Sequence, residues 1–278
     1  MKAKILLGLS LLLFLAGCQP GIYRDENGIV KCSDWVTVGY TKNIDGVEYE
    51  VVDREKLLEL IRLEDDYEHI CTSKITDMSN LFQGSEVRFK VSSWDVSNVK
   101  DMSWMFEFTQ FNGDISQWDV SNVENMSAML MNTQFNGDIS QWDVSNVKYM
   151  NSMFTHTPFN GDISRWDVSN VENMGVMFRW SRFNGDISQW DVSNVKDMSG
   201  MFMYSAYNGE ISPWDVSEVK DMSQMFYASR FNRRISGWNM KNVQEVNEMF
   251  ESSSFTGDIS GWGLTYRDMV STGHRDYR

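Results

Sequence analysis

Phe111-Asn112-Gly113-Asp114-Ile115-Ser116-Gln117-Trp118-Asp119-Val120-Ser121-Asn122-Val123 is the stretch on which this chain is built, because near copies of it return every 24 residues. Trp94, Trp118, Trp142, Trp166, Trp190, Trp214, Trp238 and Trp262 keep the interval without an insertion or deletion. A fixed period of this size signals repeats that stack on one another. Each unit is one supersecondary element that cannot bury its own flat faces.

Within one unit, Ile115, Trp118 and Val120 suit a short strand, with Trp118 and Val120 on one face. Ser121 or Asn122 is a favoured cap for a helical turn, and Val123, Met126, Met129 and Leu130 follow at three- and four-residue spacings. A loop leads to Phe135, and Asn136-Gly137 turns the chain back. The expected coil is therefore strand, turn, short helix and loop, repeated about eight times in an α/β solenoid. About eight apolar side chains per unit contribute roughly 1.5 to 3 kcal/mol each, against about 1.5 kcal/mol of ordering entropy for every residue. A lone repeat loses that contest, so stability belongs to the array. The repeated indoles can sit in such a core only if each N–H finds an acceptor, a neighbouring carbonyl or an aspartate.

Working outward, the chain begins with Lys2, Lys4, an apolar run over residues 5–15 and Leu15-Ala16-Gly17-Cys18. This run is too short to span a membrane and resembles a bacterial lipoprotein signal over residues 1–17, which implies cleavage before Cys18 and lipid on its sulfur. Residues 18–30 read as the lipidated cysteine and a tether. Cys32 and Cys71 are then the remaining thiols, and an even pair in an exported chain reads as a disulfide. Closing that loop would contribute about 4 kcal/mol in the chain-entropy view. Residues 31–74 form an N-terminal cap. Residues 35–38 and 47–52 alternate as strands around Ile44-Asp45-Gly46, and Asp53 precedes a helix carrying Leu57, Leu58, Leu60 and Ile61. The repeats occupy 75–264, and 265–278 is a polar, partly basic tail.

The Phe-Asn-Gly-Asp-Ile-Ser-x-Trp-Asp-Val-Ser-Asn-Val-x-x-Met-x-x-Met-Phe unit resembles the repeat of the BspA-type leucine-rich-repeat bacterial surface proteins. Cys71-Thr72-Ser73-Lys74-Ile75-Thr76-Asp77-Met78-Ser79-Asn80-Leu81-Phe82 is similar to that family's entry into the array. The resemblance implies a leucine-rich-repeat-like solenoid on an exported, lipid-anchored envelope protein, in the outer membrane or at the cell surface, with adhesion as the role reported for some relatives. It carries over no catalytic residues. Arg233-Arg234 in place of Gly-Asp, Asn239-Met240 in place of Asp-Val, Val246 in place of Met and Gly263 in place of Asp depart from the pattern and suit a C-terminal cap.

Two sets of residues invite a functional reading. Asp95, Asp119, Asp143, Asp167, Asp191 and Asp215 stack in one column, and Asp114, Asp138, Asp162, Asp186, Glu210 and Asp258 in another. Stacked carboxylates need hydrogen bonds, solvent or a cation, but no calcium-solenoid nonapeptide is present, so no metal site is assigned. The second set is a variable column of large side chains after each helix position: Phe108, His156, Trp180, Tyr204 and Tyr227 are the expected contacts for a protein or glycan partner. The methionine columns, beside valine and phenylalanine, read as core. His69, His156 and His274 lie in no nucleophile or zinc spacing, and no phosphate loop appears, so neither enzyme activity nor a cofactor is expected. A formal charge of −14 disfavours nucleic acid and anionic lipid as partners and leaves cationic ones open. The competing reading is a structural spacer or scaffold with no ligand.

Overall fold

The computed structural model describes residues 21–263; the signal, Cys18 and the 265–278 tail lie outside the described residues. The cap comes first. β1 (Ile22–Arg24) pairs antiparallel with β2 (Val30–Cys32). β3 (Thr41–Ile44) pairs antiparallel with β4 (Val47–Val51), which takes β5 (Ile70–Cys71) in parallel. Asp45 and Gly46 both have positive φ, the two-residue turn whose twist matches a hairpin. The expected turn is therefore in place, but its first strand is Thr41–Ile44 and not residues 35–38. A two-residue turn fixes Ile44 opposite Val47, which leaves 35–38 beyond the end of β4. The tether is also shorter than expected, because Ile22 is fully buried and the chain joins the fold at β1.

Asp53 caps α1 (Arg54–Leu63), accepting the Lys56 N–H at 2.9 Å. Leu57 and Leu60 then bury against the array, and the Arg54 guanidinium donates to the Ser79 carbonyl at 2.7 Å. That contact covers a carbonyl facing outward from the first coil. Val30 bridges in parallel to Trp94, its N–H donating to the Ser93 carbonyl at 2.8 Å, so cap and array are joined by backbone as well as by apolar packing. Cys32 and Cys71 do not form the expected disulfide: both are free thiols, side by side in a small core with Val30, Tyr49 and Val51.

From Asp77 onward the chain is a tandem-repeat fold. Seven single-residue parallel bridges step through Asp77, Asp101, Asn125, Tyr149, Asn173, Asp197, Asp221 and Glu245, each to its equivalent 24 residues on. The short helix expected in each unit is replaced by three overlapping turns. In the second coil the N–H groups of Met105, Glu107 and Thr109 donate to the carbonyls of Met102, Trp104 and Phe106, each at 3.2 Å. Trp104 and Phe108 have φ of 56° and 57°, the third-position geometry of a type II turn. The alternate N–H groups of Met102, Trp104, Phe106 and Phe108 are thereby freed. They donate to Asn125, Ser127, Met129 and Met131 of the next coil at 2.9 to 3.0 Å. A helix would have consumed those donors internally; the turns spend them on stacking.

The expected strand around Ile115 is likewise a pair of turns, Trp118 to Ile115 and Val123 to Val120. Asp114 and Asp119 accept the backbone N–H groups of Ser116 and Ser121 at 3.0 and 3.1 Å, local bonds that compete with a ladder. Inward, aromatic columns fill the stack: Phe106 lies on Phe111 with centroids 3.8 Å apart, and Trp142 on Trp166 at 6.4 Å. Each indole from Trp94 to Trp238 donates to a backbone carbonyl 27 residues earlier, at 2.9 to 3.2 Å. The carbonyl, not an aspartate, is the acceptor.

Candidate functional site

The turn segments form one outward ridge along the stack. Its left-handed positions recur at residues 104, 128, 152, 176, 200, 224 and 248, and again four residues later at 108, 132, 156, 180, 204, 228 and 252. In the second coil the left-handed Trp104 and Phe108 are exposed while their neighbours Met105 and Phe106 are buried. Such a conformation costs an ordinary L-residue roughly 1–2 kcal/mol, least for glycine and asparagine. Gly200 and Asn132 meet that demand, and Ala228 and Ser252 show that a small side chain satisfies the second column.

Against that background the second column carries His156, Trp180 and Tyr204 in consecutive coils, all at positive φ. His156 stacks on Trp180 with centroids 5.5 Å apart and 18° between planes, and Trp180 stacks on Tyr204 at 4.2 Å and 20°. Tyr227, one residue earlier in its own coil, continues the line edge-on to Tyr204 at 5.4 Å and 69°. Four of the five expected partner residues therefore form one continuous ladder. Phe108 is separate: it is 59% exposed, and Asn132 stands between its coil and that of His156. Trp180 keeps 47% exposure although both of its faces are covered by rings, so what it offers solvent is an edge.

The ladder sits among cations. Arg179 flanks Trp180 and is half-buried, with its Nε lacking a hydrogen-bond partner among the described residues. Burial, then the charge of Arg179, push the His156 imidazole below its ordinary value, which leaves it neutral at pH 7. Arg182 and Arg230 are exposed on the same ridge, two residues beyond the second left-handed column. None of the three arginines forms an ion pair among the described residues. Arg179 falls in the variable column read from the sequence, beside Trp180, whereas the exposed Trp104, at 39%, and the arginines Arg182 and Arg230 escaped that reading. Their signal was present only when the turn segments were aligned in columns.

The acidic columns have their own partners. Asp119, Asp143, Asp167, Asp191 and Asp215 each accept the N–H of the serine two residues on, at 3.0 to 3.1 Å. Asp114, Asp138, Asp162, Asp186, Glu210 and Asp258 do the same at 2.8 to 3.0 Å. Asp95 is buried and bonds Ser73 and Ser97. Among the described residues no group of three or more His, Cys, Asp or Glu side chains is placed to hold a metal ion. Met102, Met126, Met150 and their equivalents are fully buried core. His69 pairs with Asp66 at 2.5 Å on an exposed loop, and His274 lies outside the described residues.

A cavity of about 780 Å³ forms a groove between α1 and the first coil. Leu58, Ile61 and Leu81 line it, and Arg88 at its rim is paired with Glu64 and Glu86.

Residues 55–158, 109–206 and 179–272 each match a family described as Mycoplasma protein of unknown function, DUF285. No curated protein and no solved structure matches the chain.

Proposed function

From the premise that the chain belongs to this bacterial repeat family, related to the BspA-type repeats, we propose that it is a lipid-anchored envelope protein whose solenoid serves as a surface binding or adhesion module. The single observation that carries the reading is the surface ladder of His156, Trp180, Tyr204 and Tyr227, of which His156 and Trp180 are exposed and the tyrosines half-buried. Three of these bulky rings occupy a left-handed column where alanine, serine or asparagine suffices for folding. Large aromatic side chains held rigid at a surface are what a partner buries for affinity. The membrane is reached through lipid on Cys18 alone; among the described residues no helix is long and apolar enough to cross it. No catalytic role is assigned.

The near-identity of the repeats favours a second reading, a spacer that sets length. Protease accessibility of the repeats on intact cells, with a cytosolic protein as leakage control, separates the two. Digestion without leakage is expected; full protection would sink the surface reading and leave the inward-facing scaffold.

Export also bears on the buried thiols. The hydrogen bond between them draws Cys32 down to about 7 against the opposing effect of burial, helped by the charge of Lys74 and by Ser73, while the same bond and burial push Cys71 up. A thiolate on Cys32 attacks a disulfide-bearing oxidant, and Cys71 then displaces the departing thiol, closing a Cys32–Cys71 bond with loss of two protons and two electrons. Thiol titration after oxidised-glutathione treatment should find both sulfurs consumed within one chain; two persisting free thiols would refute the pairing.

A further inference from the structure

The chain carries 39 Asp and Glu in 278 residues, yet they are not spread evenly. The turn segments 128–134, 152–158, 176–182, 200–206 and 224–230 contain none, in five consecutive coils. The coils on either side end the run, with Glu107 before it and Glu248 and Glu251 after it. The charged residues inside the window are Arg179, Arg182 and Arg230, while the aspartate columns lie in the segments between the turns. At a spacing of about 4.8 Å per coil, the window is roughly 24 Å long. Charges on other faces are screened beyond about 8 Å at physiological ionic strength. A ligand on the ridge around Arg179 and Arg182 therefore meets a local cationic strip and not the net charge of −14, while Glu248 and Glu251 act on Tyr227 at its far end.

The rings narrow the ligand further. An aromatic ring is negative on its faces and positive at its edge. Trp180 has both faces covered by His156 and Tyr204, so the ladder presents positive edges to a ligand and leaves no open indole face on which a sugar ring could lie flat. Edges and guanidinium groups both favour carboxylates, and an arginine fork matches a carboxylate bidentately. The free guanidinium groups of Arg182 and Arg230 stand two coils apart, about 10 Å along the stack.

We infer that the ridge over Arg179, Arg182, Arg230 and the His156–Tyr227 ladder is a docking surface for an acidic segment of a protein partner. The inference rests on the reading of the array as a binding module and specifies the partner's chemistry.

The test is direct binding of a labelled oligoglutamate peptide to the full chain purified in nonionic detergent, with heparin and a neutral chitin oligosaccharide in parallel. The peptide is expected to bind at low salt and to weaken as salt rises. Combining Arg182→Gln with Arg230→Gln should reduce affinity about tenfold or more, since charge pairs at interfaces couple by 1.5 kcal/mol and upward. Trp180→Ala should weaken it as well, and Lys100→Gln, three coils before that of Arg179, should not. Absence of peptide binding at low salt, or binding indifferent to the two arginine changes, overturns the inference. So does tighter binding of heparin that survives Trp180→Ala, which would put an anionic glycan in its place. Protection of the repeats on intact cells would refute surface display and leave this measurement standing, whereas loss of peptide binding with digestion retained would refute only the acidic partner.

Discussion

Tyr207 offers the sharpest test of the packing. It occupies the column otherwise held by Phe111, Phe135, Phe159, Phe183, Phe231 and Phe255, and it stacks as they do, 6.1 Å from Phe183 and 4.3 Å from Phe202. Its ring is fully buried, and its hydroxyl has no hydrogen-bond partner among the described residues. Burial, with Asp186 and Glu210 nearby, pushes the phenol well above its ordinary range, so it stays protonated. A stranded buried hydroxyl costs about 1–3 kcal/mol. Removing one oxygen leaves a void smaller than a methyl group, worth less than about 1 kcal/mol. Tyr207→Phe should therefore stabilise the chain by about 1–2 kcal/mol. Urea unfolding is the assay: the midpoint should rise at unchanged slope. The reverse change one coil earlier, Phe183→Tyr, should lower it by a similar amount. A lower midpoint for Tyr207→Phe, or a higher one for Phe183→Tyr, would refute the reasoning and mean that the hydroxyl is satisfied.

Other expectations follow from the same geometry. Val176 holds a left-handed φ of 50° with a branched Cβ, so Val176→Asn should raise the urea midpoint by the equivalent of about 1 kcal/mol; a lower midpoint would mean that its partial burial outweighs the strain. Trp190→Phe removes a 3.0 Å bond to the Ile163 carbonyl in the middle of the array and should cost about 2–4 kcal/mol. Trp262→Phe should cost less, because the Trp262 indole nitrogen has no partner among the described residues; equal losses in the two variants would refute the role given to the indole bonds. Hydrogen bonds from serines hold Asp138, Asp162, Asp186 and Asp258 below the ordinary value of 3.8. Folded values below unfolded ones mean stability that is present above pH 3.8 and lost as pH falls through the folded values. Midpoints measured across pH should stay level down to about 4 as far as these groups are concerned and drop below it, and a drop that begins near pH 6 would implicate His156 instead.

The period, the cap helix with Asp53 and the hairpin turn at Asp45-Gly46 were legible in the sequence because each rests on local chemistry or on plain repetition. The helix in each coil was misread because Met126, Met129 and Leu130 lie on one face in a helix and point inward in a run of turns alike. Apolar spacing cannot separate the two. The residues that can are Asn80, Asn132 and Gly200, which mark left-handed positions, and among aromatic neighbours they pass for variation. The ring ladder was legible for a related reason, since a 24-residue stack places His156 beside Trp180 and Trp180 beside Tyr204. Arg182 and Arg230 were not, because net charge averages over faces that the fold separates.

That separation also bears on the contest between spacer and binder. Near-identity of the inner positions fixes the pitch and register of the stack; it says nothing about what the ridge displays. A chain that served only to set length would gain nothing from holding His156, Trp180 and Tyr204 at strained left-handed positions where Ala228 and Ser252 fold as well. The regular interior is what lets an irregular column become a surface of defined spacing, so the feature that favours the spacer is also a requirement of the binder.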